Sequence, residues 1–493
     1  MDNHSTPLSK KIIFLSILIV SLLFSNGRFT MFFATWISTT MLLHLVRRFS
    51  ALRGFLLAWL LLTIAFLFQY YKLVPLPAPF YIITMTLYGL VLALPYLIDL
   101  LFSKKRDTFL QTLIFPVSWV LIEYVYHRVN PYGTWGHIAY SQESQFYLLQ
   151  SISVFGLGYI TFIIGWFASI CNWLFVQKFN WKKVKLGVTT YSIIFGITMI
   201  YGAYRLLIQK PNSETIRVAS ISAIDEKRIY DNDLYGLHLD GGTERFKNQA
   251  SELNTDLFAR SIREAKAGAK IIFWAEGNSL ILKEDEKELY KSASLIAQDY
   301  KIHLGIGVGV IDPNHDKPLE NKFVLFNPDG KKVINYWKAI PVPGFEANIS
   351  NVKDSKIQKT ETYHGTIAAA ICFDMDFPQY LKQAKGSDIL LAPSNDWKAI
   401  DPIHTHMARY RAIEQGFNLI RQTSKGLSAG VDYTGKIISE MDHFTDNEKV
   451  LITQLPTKGI TTIYSYIGDI FIIFCICLFI LVSIKLKKHQ PFQ

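Results

Sequence analysis

Apolar residues in this chain are gathered into windows of roughly 17–24 residues, each long enough to cross a bilayer as a helix. Eight can be read: 12–26, 30–46, 54–71, 80–103, 109–126, 157–177, 187–207 and 466–484. The fifth carries Glu123 and a mid-window Pro116, the two features least at home in a span. Ser25-Asn26-Gly27-Arg28 offers no small-x-small cleavage site, so the first window is read as an anchor.

Loop charge sets the expected orientation. Lys10, Lys11, Arg47, Arg48, Arg53, Lys104, Lys105, Arg106, Lys178, Lys182, Lys183, Lys185, Lys485, Lys487 and Lys488 fall in one alternating set of loops. Arg28, Lys72, Arg128, Arg205 and Lys210 fall in the other. Fifteen against five puts both termini in the cytoplasm and the segment 208–465 on the far side. The net charge of +11 is then largely a topology signal, so no nucleic-acid partner is expected.

Within that segment the pattern changes to short β-rich runs alternating with amphipathic helices, the mark of a layered α/β domain. Strands are expected at 216–221, 271–274, 303–310, 323–326, 332–336, 365–372 and 388–392, and helices at 243–267 and 402–417. Pro328-Asp329-Gly330 signals a hairpin. Gly305, Gly307 and Gly309 alternate along a strand, which suggests close packing and lacks the spacing of a dinucleotide fingerprint. The expected division is 1–210 for seven spans, 211–462 for the catalytic domain, and 463–493 for the closing span and tail.

Cys372 is the only cysteine of the 208–465 segment; Cys171, Cys475 and Cys477 lie in apolar windows. A lone thiol on the oxidising side of a membrane has no disulfide partner in its own domain, and its two readings are a nucleophile or a small core residue. Glu276, Lys338 and Cys372 each stand at or just after an expected strand end, where sites in open α/β sheets gather. A carboxylate can take the thiol proton, and an ammonium can hold the oxyanion that follows attack on a carbonyl. Singly each is weak, since a strand-end Glu or Lys is usually a solvated charge. As an ordered set they are specific.

Phe273-Trp-Ala-Glu-Gly277, Tyr336-Trp-Lys338 with Pro343-Gly-Phe-Glu346, and Ile371-Cys-Phe-Asp374 resemble the nitrilase superfamily and its Glu-Lys-Cys triad. Asn395-Asp-Trp397, His404-Thr-His-Met-Ala-Arg-Tyr-Arg-Ala-Ile-Glu-Gln-Gly416 and Arg421 resemble the nitrilase domain of the bacterial apolipoprotein N-acyltransferase family. Phe115–Glu123, Trp135–Gln142 and Leu149–Gly158 resemble that family's membrane half.

The resemblance implies a four-layer αββα nitrilase-like sandwich inserted in an all-α membrane domain of eight transmembrane helices. It implies Cys372 as nucleophile, Glu276 as base, Lys338 as oxyanion stabiliser and Glu346 as a second glutamate near the thiol. Trp274, Asp374, Glu123 and Tyr140 are carried as supporting or substrate-binding residues. The implied reaction moves an acyl chain from a phospholipid, through a Cys372 thioester, to the α-amine of a diacylglyceryl-cysteine apolipoprotein. The implied setting is the bacterial inner membrane, with the catalytic domain periplasmic and the chain monomeric.

Ala275, Asn278, the Gly344-Phe345 order, Asp374, Phe417-Asn418 and Ser424-Lys425-Gly426 depart from the family pattern around the pocket. They keep open an alternative, a membrane-anchored amidase or an acyltransferase with another donor or acceptor. No cofactor is expected and no metal, because His404 and His406 point to different sides of their helix. Arg409, Arg411 and Glu414 read as helix-surface or structural pairs. Asp99 reads as structural. Trp135, Tyr140 and Tyr147 suit interfacial anchoring or the lip of a lipid entrance.

Overall fold

The computed structural model describes residues 8–102, 108–209, 213–229, 242–353 and 355–488. Lys104, Lys105, Arg106 and Lys210, used above for orientation, lie outside the described residues. The chain divides into two compact units, 1–209 with 466–493, and 210–465.

The first unit is helical: Leu8–Leu23, Phe32–Val46, Ala51–Gln69, Ala78–Phe102, Ile114–Val129, Gly158–Val176, Trp181–Leu207 and Ile470–Lys488. By length and composition, five described segments can cross a membrane: Ala51–Gln69, Ala78–Phe102, Phe109–Val129, Gly158–Val176 and Trp181–Leu207. Ile12, Leu60, Ile83, Ile197 and Ile473 are exposed, which suits helices solvated by lipid rather than water. Pro116 is not mid-helix. Residues 109–113 form a 3₁₀ turn, and the α-helix starts at Ile114, so Pro116 sits in the first turn, where its missing N–H costs nothing. Asp99 is fully buried and takes a two-pronged bond from Arg47 (2.7 and 2.8 Å), a structural pair between helices.

The second unit holds thirteen described strands: β1 (Thr215–Ile221), β2 (Ile271–Trp274), β3 (Ser279–Leu282), β4 (His303–Ile311), β5 (Leu319–Phe326), β6 (Lys332–Trp337), β7 (Lys359–Thr362), β8 (Gly365–Ala369), β9 (Ile389–Asn395), β10 (Asn418–Ser424), β11 (Leu427–Val431), β12 (Ile437–Asp442) and β13 (Val450–Pro456). One sheet runs β13-β1-β2-β4-β5-β6, with β3 also on β4; the other runs β12-β11-β10-β9-β8-β7. β1, β2 and β4 are parallel, as are β8, β9 and β10. Alternation sorts β2's side chains between two cores. Ile271 and Phe273 join Ile367, Leu390 and Leu419 of the second sheet in one cluster. Ile272 and Trp274 join Leu253 and Leu257 of helix Gly242–Lys266 and Ala293 of helix Glu286–Tyr300 in the other.

Gly307 of β4 has a local reason. A Cβ there would lie 2.2 Å from the Ala275 carbonyl oxygen, so only glycine lets β4 pass under the turn carrying Glu276. Gly307→Ala is expected to lower the stability of this unit by about 1–3 kcal/mol, read as a fall in Tm.

Candidate active site

Three strand ends build the site. β2 stops at Trp274, and the tight turn after it delivers Glu276. β6 stops at Trp337, and Lys338 is the next residue. β8 stops at Ala369, and Cys372 opens the 3₁₀ turn Cys372–Asp376. Cys372 has φ +44°, a left-handed conformation unusual for a side-chain-bearing residue. Such strain persists only where surrounding contacts impose it.

Those contacts centre on Asp374, which is fully buried. Its Oδ2 accepts from Ile371 N (3.0 Å) and Tyr336 Oη (2.6 Å), and its Oδ1 from Ile340 N (2.9 Å). One carboxylate therefore ties the cysteine turn to the segment carrying Lys338. Asp374 is a positioning residue, with both oxygens occupied.

Lys338 Nζ donates to Glu276 Oε1 (2.8 Å) and to Glu346 Oε1 and Oε2 (2.8 and 2.7 Å). Burial works against this ammonium, but Glu276 and Glu346 outweigh it and raise its pKa well above the usual value. Glu276 Oε2 is buried with no hydrogen-bond partner among the described residues, which leaves it free to take a proton. Burial and then Glu276 push the Cys372 thiol well above its ordinary pKa, against the pull of Lys338 and Arg421. The resting sulfur is thus a thiol beside a carboxylate with a spare oxygen.

Trp274 is not at this site. It is fully buried beneath helix Gly242–Lys266, its indole donates to Ser261 Oγ (2.9 Å), and it meets Phe258 edge-on. The alternation of β2 turns it away from the sheet–sheet core that holds Cys372. Glu123 and Tyr140 belong to the helical unit. Glu123 accepts from Ile138 N (2.9 Å) and Thr161 Oγ1 (2.5 Å), tying a loop to two helices, and Tyr140 Oη pairs with Thr134 Oγ1 (2.7 Å). Arg409, Arg411 and Glu414 are buried rather than on a helix surface, with Arg411 paired to Glu414 at 3.1 Å.

Two features escaped the sequence reading: one residue, Asn321, and the contacts that join Asp396, His404 and Arg421 of the family-like motifs. Asn321 of β5 donates through Nδ2 to both Glu276 (2.8 Å) and Glu346 (3.1 Å), fixing the two carboxylates relative to each other. The polar triplet Glu320-Asn321-Lys322 at the start of a buried strand was its only signal. The second is a buried cluster beside Cys372. His404 reaches Asp396 through Nδ1 (2.7 Å) and Asp376 through Nε2 (3.0 Å), and Arg421 clamps both oxygens of Asp396 (2.8 and 2.9 Å).

Donor atoms of Cys372, Asp396 and His404 lie within 4.8 Å of one another, a metal-like grouping. The set does not fit an ion: both His404 nitrogens face carboxylates, and both Asp396 oxygens are held by Arg421. Burial opposes the charge on His404, but Asp376 and Asp396 raise its pKa to about 9. A folded pKa above the unfolded value of about 6.5 stabilises the protein fully below that value and progressively less up to about 9. Thermal unfolding should therefore show a loss of about 3 kcal/mol across this window. His404→Gln should flatten it.

Residues 247–464 match the carbon-nitrogen hydrolase family model, and residues 18–170 match that of the apolipoprotein N-acyltransferase N-terminal domain. The chain is 25% identical over 435 residues to the apolipoprotein N-acyltransferase of Rickettsia prowazekii, covering 82% of this chain and 83% of that one. It is 24% identical over 418 residues to that of Haemophilus influenzae, covering 78% and 76%. Among solved structures, an amidase from Nesterenkonia sp. aligns with 51% of this chain and 94% of its own, at 16% identity and a TM-score of 0.38. Residues 247–464 of the second unit thus form a carbon–nitrogen hydrolase domain. The apolar helical unit completes the assignment: the chain belongs to the apolipoprotein N-acyltransferase family and is a bacterial membrane protein.

Proposed function

We propose that this protein N-acylates lipoproteins, moving a fatty acyl chain from a phospholipid to the α-amine of a diacylglyceryl-modified N-terminal cysteine through a thioester on Cys372. The observation that carries the reading is the buried meeting of a strained cysteine, a carboxylate with a spare oxygen and an ammonium. Glu276 Oε2 takes the thiol proton as sulfur attacks the ester carbonyl. The developing oxyanion takes over an N–H of Lys338. The ester C–O bond breaks, and Glu276 returns the proton to the departing lysophospholipid alkoxide. The acceptor amine then attacks the thioester, the C–S bond breaks, and the amine proton passes by way of Glu276 to the departing sulfur. The thioester keeps the acyl group reactive while the acceptor docks.

The two sheets with their outer helices support a four-layer αββα sandwich, and the eight apolar helices among the described residues of the first unit support eight spans. Loop charge favours cytoplasmic termini and a periplasmic catalytic domain. Both substrates are lipids, so membrane anchoring brings enzyme and substrate into one phase.

The test supplies the purified protein with phospholipid vesicles and a synthetic diacylglyceryl-cysteine peptide. The expected products are the N-acylated peptide and an equal amount of lysophospholipid. Free fatty acid with an unmodified peptide would make the protein a hydrolase instead.

A further inference from the structure

Beyond the Glu276-Lys338-Cys372 set lies a second group of ionised side chains from four places in the sequence. Asp376 comes from the cysteine turn, Asp396 follows β9, His404 is in helix Ile403–Gln415, and Arg421 is in β10. All four are at most 5% exposed. Carboxylates only accept hydrogen bonds, so an imidazole with a carboxylate at each nitrogen carries both protons. Arg421 Nη2 lies 2.9 Å from His404 Nδ1 because both donate to Asp396 Oδ1. Arg421 Nη1 also donates to Thr405 Oγ1 (2.6 Å). The group holds two positive and two negative charges.

Its place matters because of what it faces. Asp396, His404 and the Cys372 sulfur have donor atoms within 4.8 Å of one another, and Cys372 Sγ lies 3.9 Å from the carbonyl of Asn395, the neighbour of Asp396. A bare carboxylate there would oppose a thiolate.

We infer that His404 and Arg421 are positioning residues that neutralise Asp396, so that this carboxylate, within 4.8 Å of the sulfur, orients the cysteine loop without blocking thiolate formation. Thiolate availability is then set from two sides. Lys338 and Glu276 act on one, and the His404–Asp396–Arg421 brace, anchored by Asp376, acts on the other. Burial and Asp396 raise the thiol's proton affinity, and Arg421 lowers it, consistent with this division. The inference rests on the reading of Cys372 as the nucleophile, yet its test needs no acyl transfer.

The test is the alkylation rate of Cys372 by iodoacetamide at neutral pH in the full-length, detergent-solubilised protein, followed by peptide mass spectrometry. His404→Gln leaves Asp396 undercompensated and should slow alkylation about tenfold, one pKa unit of thiolate fraction. Asp396→Asn removes the like charge and should speed it by a similar factor. A purely structural role gives both variants lower Tm and the same direction of change. Opposite signs support the inference; equal signs, or no change in either, overturn it. Asp376→Asn loosens the hold on His404 Nε2 and should act in the slowing direction, which decides the matter if His404→Gln does not fold. Absence of acyl transfer by the wild type would refute the proposed reaction while leaving these alkylation signs intact.

Discussion

Cys372→Ala should reduce acyl transfer by about 10⁴-fold or more while leaving the fold nearly unchanged. The loss follows from removing the atom that carries the acyl group, which no neighbour can replace. The retained fold follows from what the sulfur touches. Its one polar contact among the described residues is a long one of 3.9 Å to the Asn395 carbonyl, and the turn it opens is held by the Asp374 carboxylate. Losing one small buried atom costs about 1 kcal/mol. The check is a transfer assay beside thermal unfolding of the same preparation. An active alanine variant would end the assignment.

Lys338→Met is the second large effect, and it should strike both measurements. The ammonium satisfies Glu276 and Glu346 at 2.7–2.8 Å in a buried site. Removing it leaves two carboxylates uncompensated, for a destabilisation of about 3–5 kcal/mol. Loss of the oxyanion donor adds about 10²–10³-fold in rate. The contrast is diagnostic, because the proposed mechanism needs Cys372 for chemistry alone and Lys338 for chemistry and folding. If Lys338→Met retained wild-type Tm, the buried ion network would have been misjudged.

Much of this was legible because the signals were local. Apolar windows announce helices by length alone, and Glu276, Lys338 and Cys372 each closed a recognisable apolar run. Pro116 misled because hydropathy does not mark where an α-helix begins after a 3₁₀ turn. Trp274 misled because β2's alternation sends its indole into the core under helix Gly242–Lys266, whereas Glu276 stands in the turn beyond the strand. The expected strand 365–372 ended early, since β8 stops at Ala369 and Cys372 leaves it in a left-handed turn. Arg409, Arg411 and Glu414 look like surface charges at helical spacing, and only packing shows them buried. Asn321 and the contacts of the His404 brace were invisible for another reason. Their meaning lies largely in bonds between residues 25–45 positions apart, which no local pattern encodes.

The central claim is a covalent acyl group on one sulfur, and intact-protein mass spectrometry reads it directly. The purified protein is incubated with phospholipid of defined chain length, without acceptor. The account predicts a mass increase of one acyl group, localised to Cys372, labile to hydroxylamine and discharged by a diacylglyceryl-cysteine peptide. An unmodified Cys372 in a preparation that still N-acylates the peptide would contradict it.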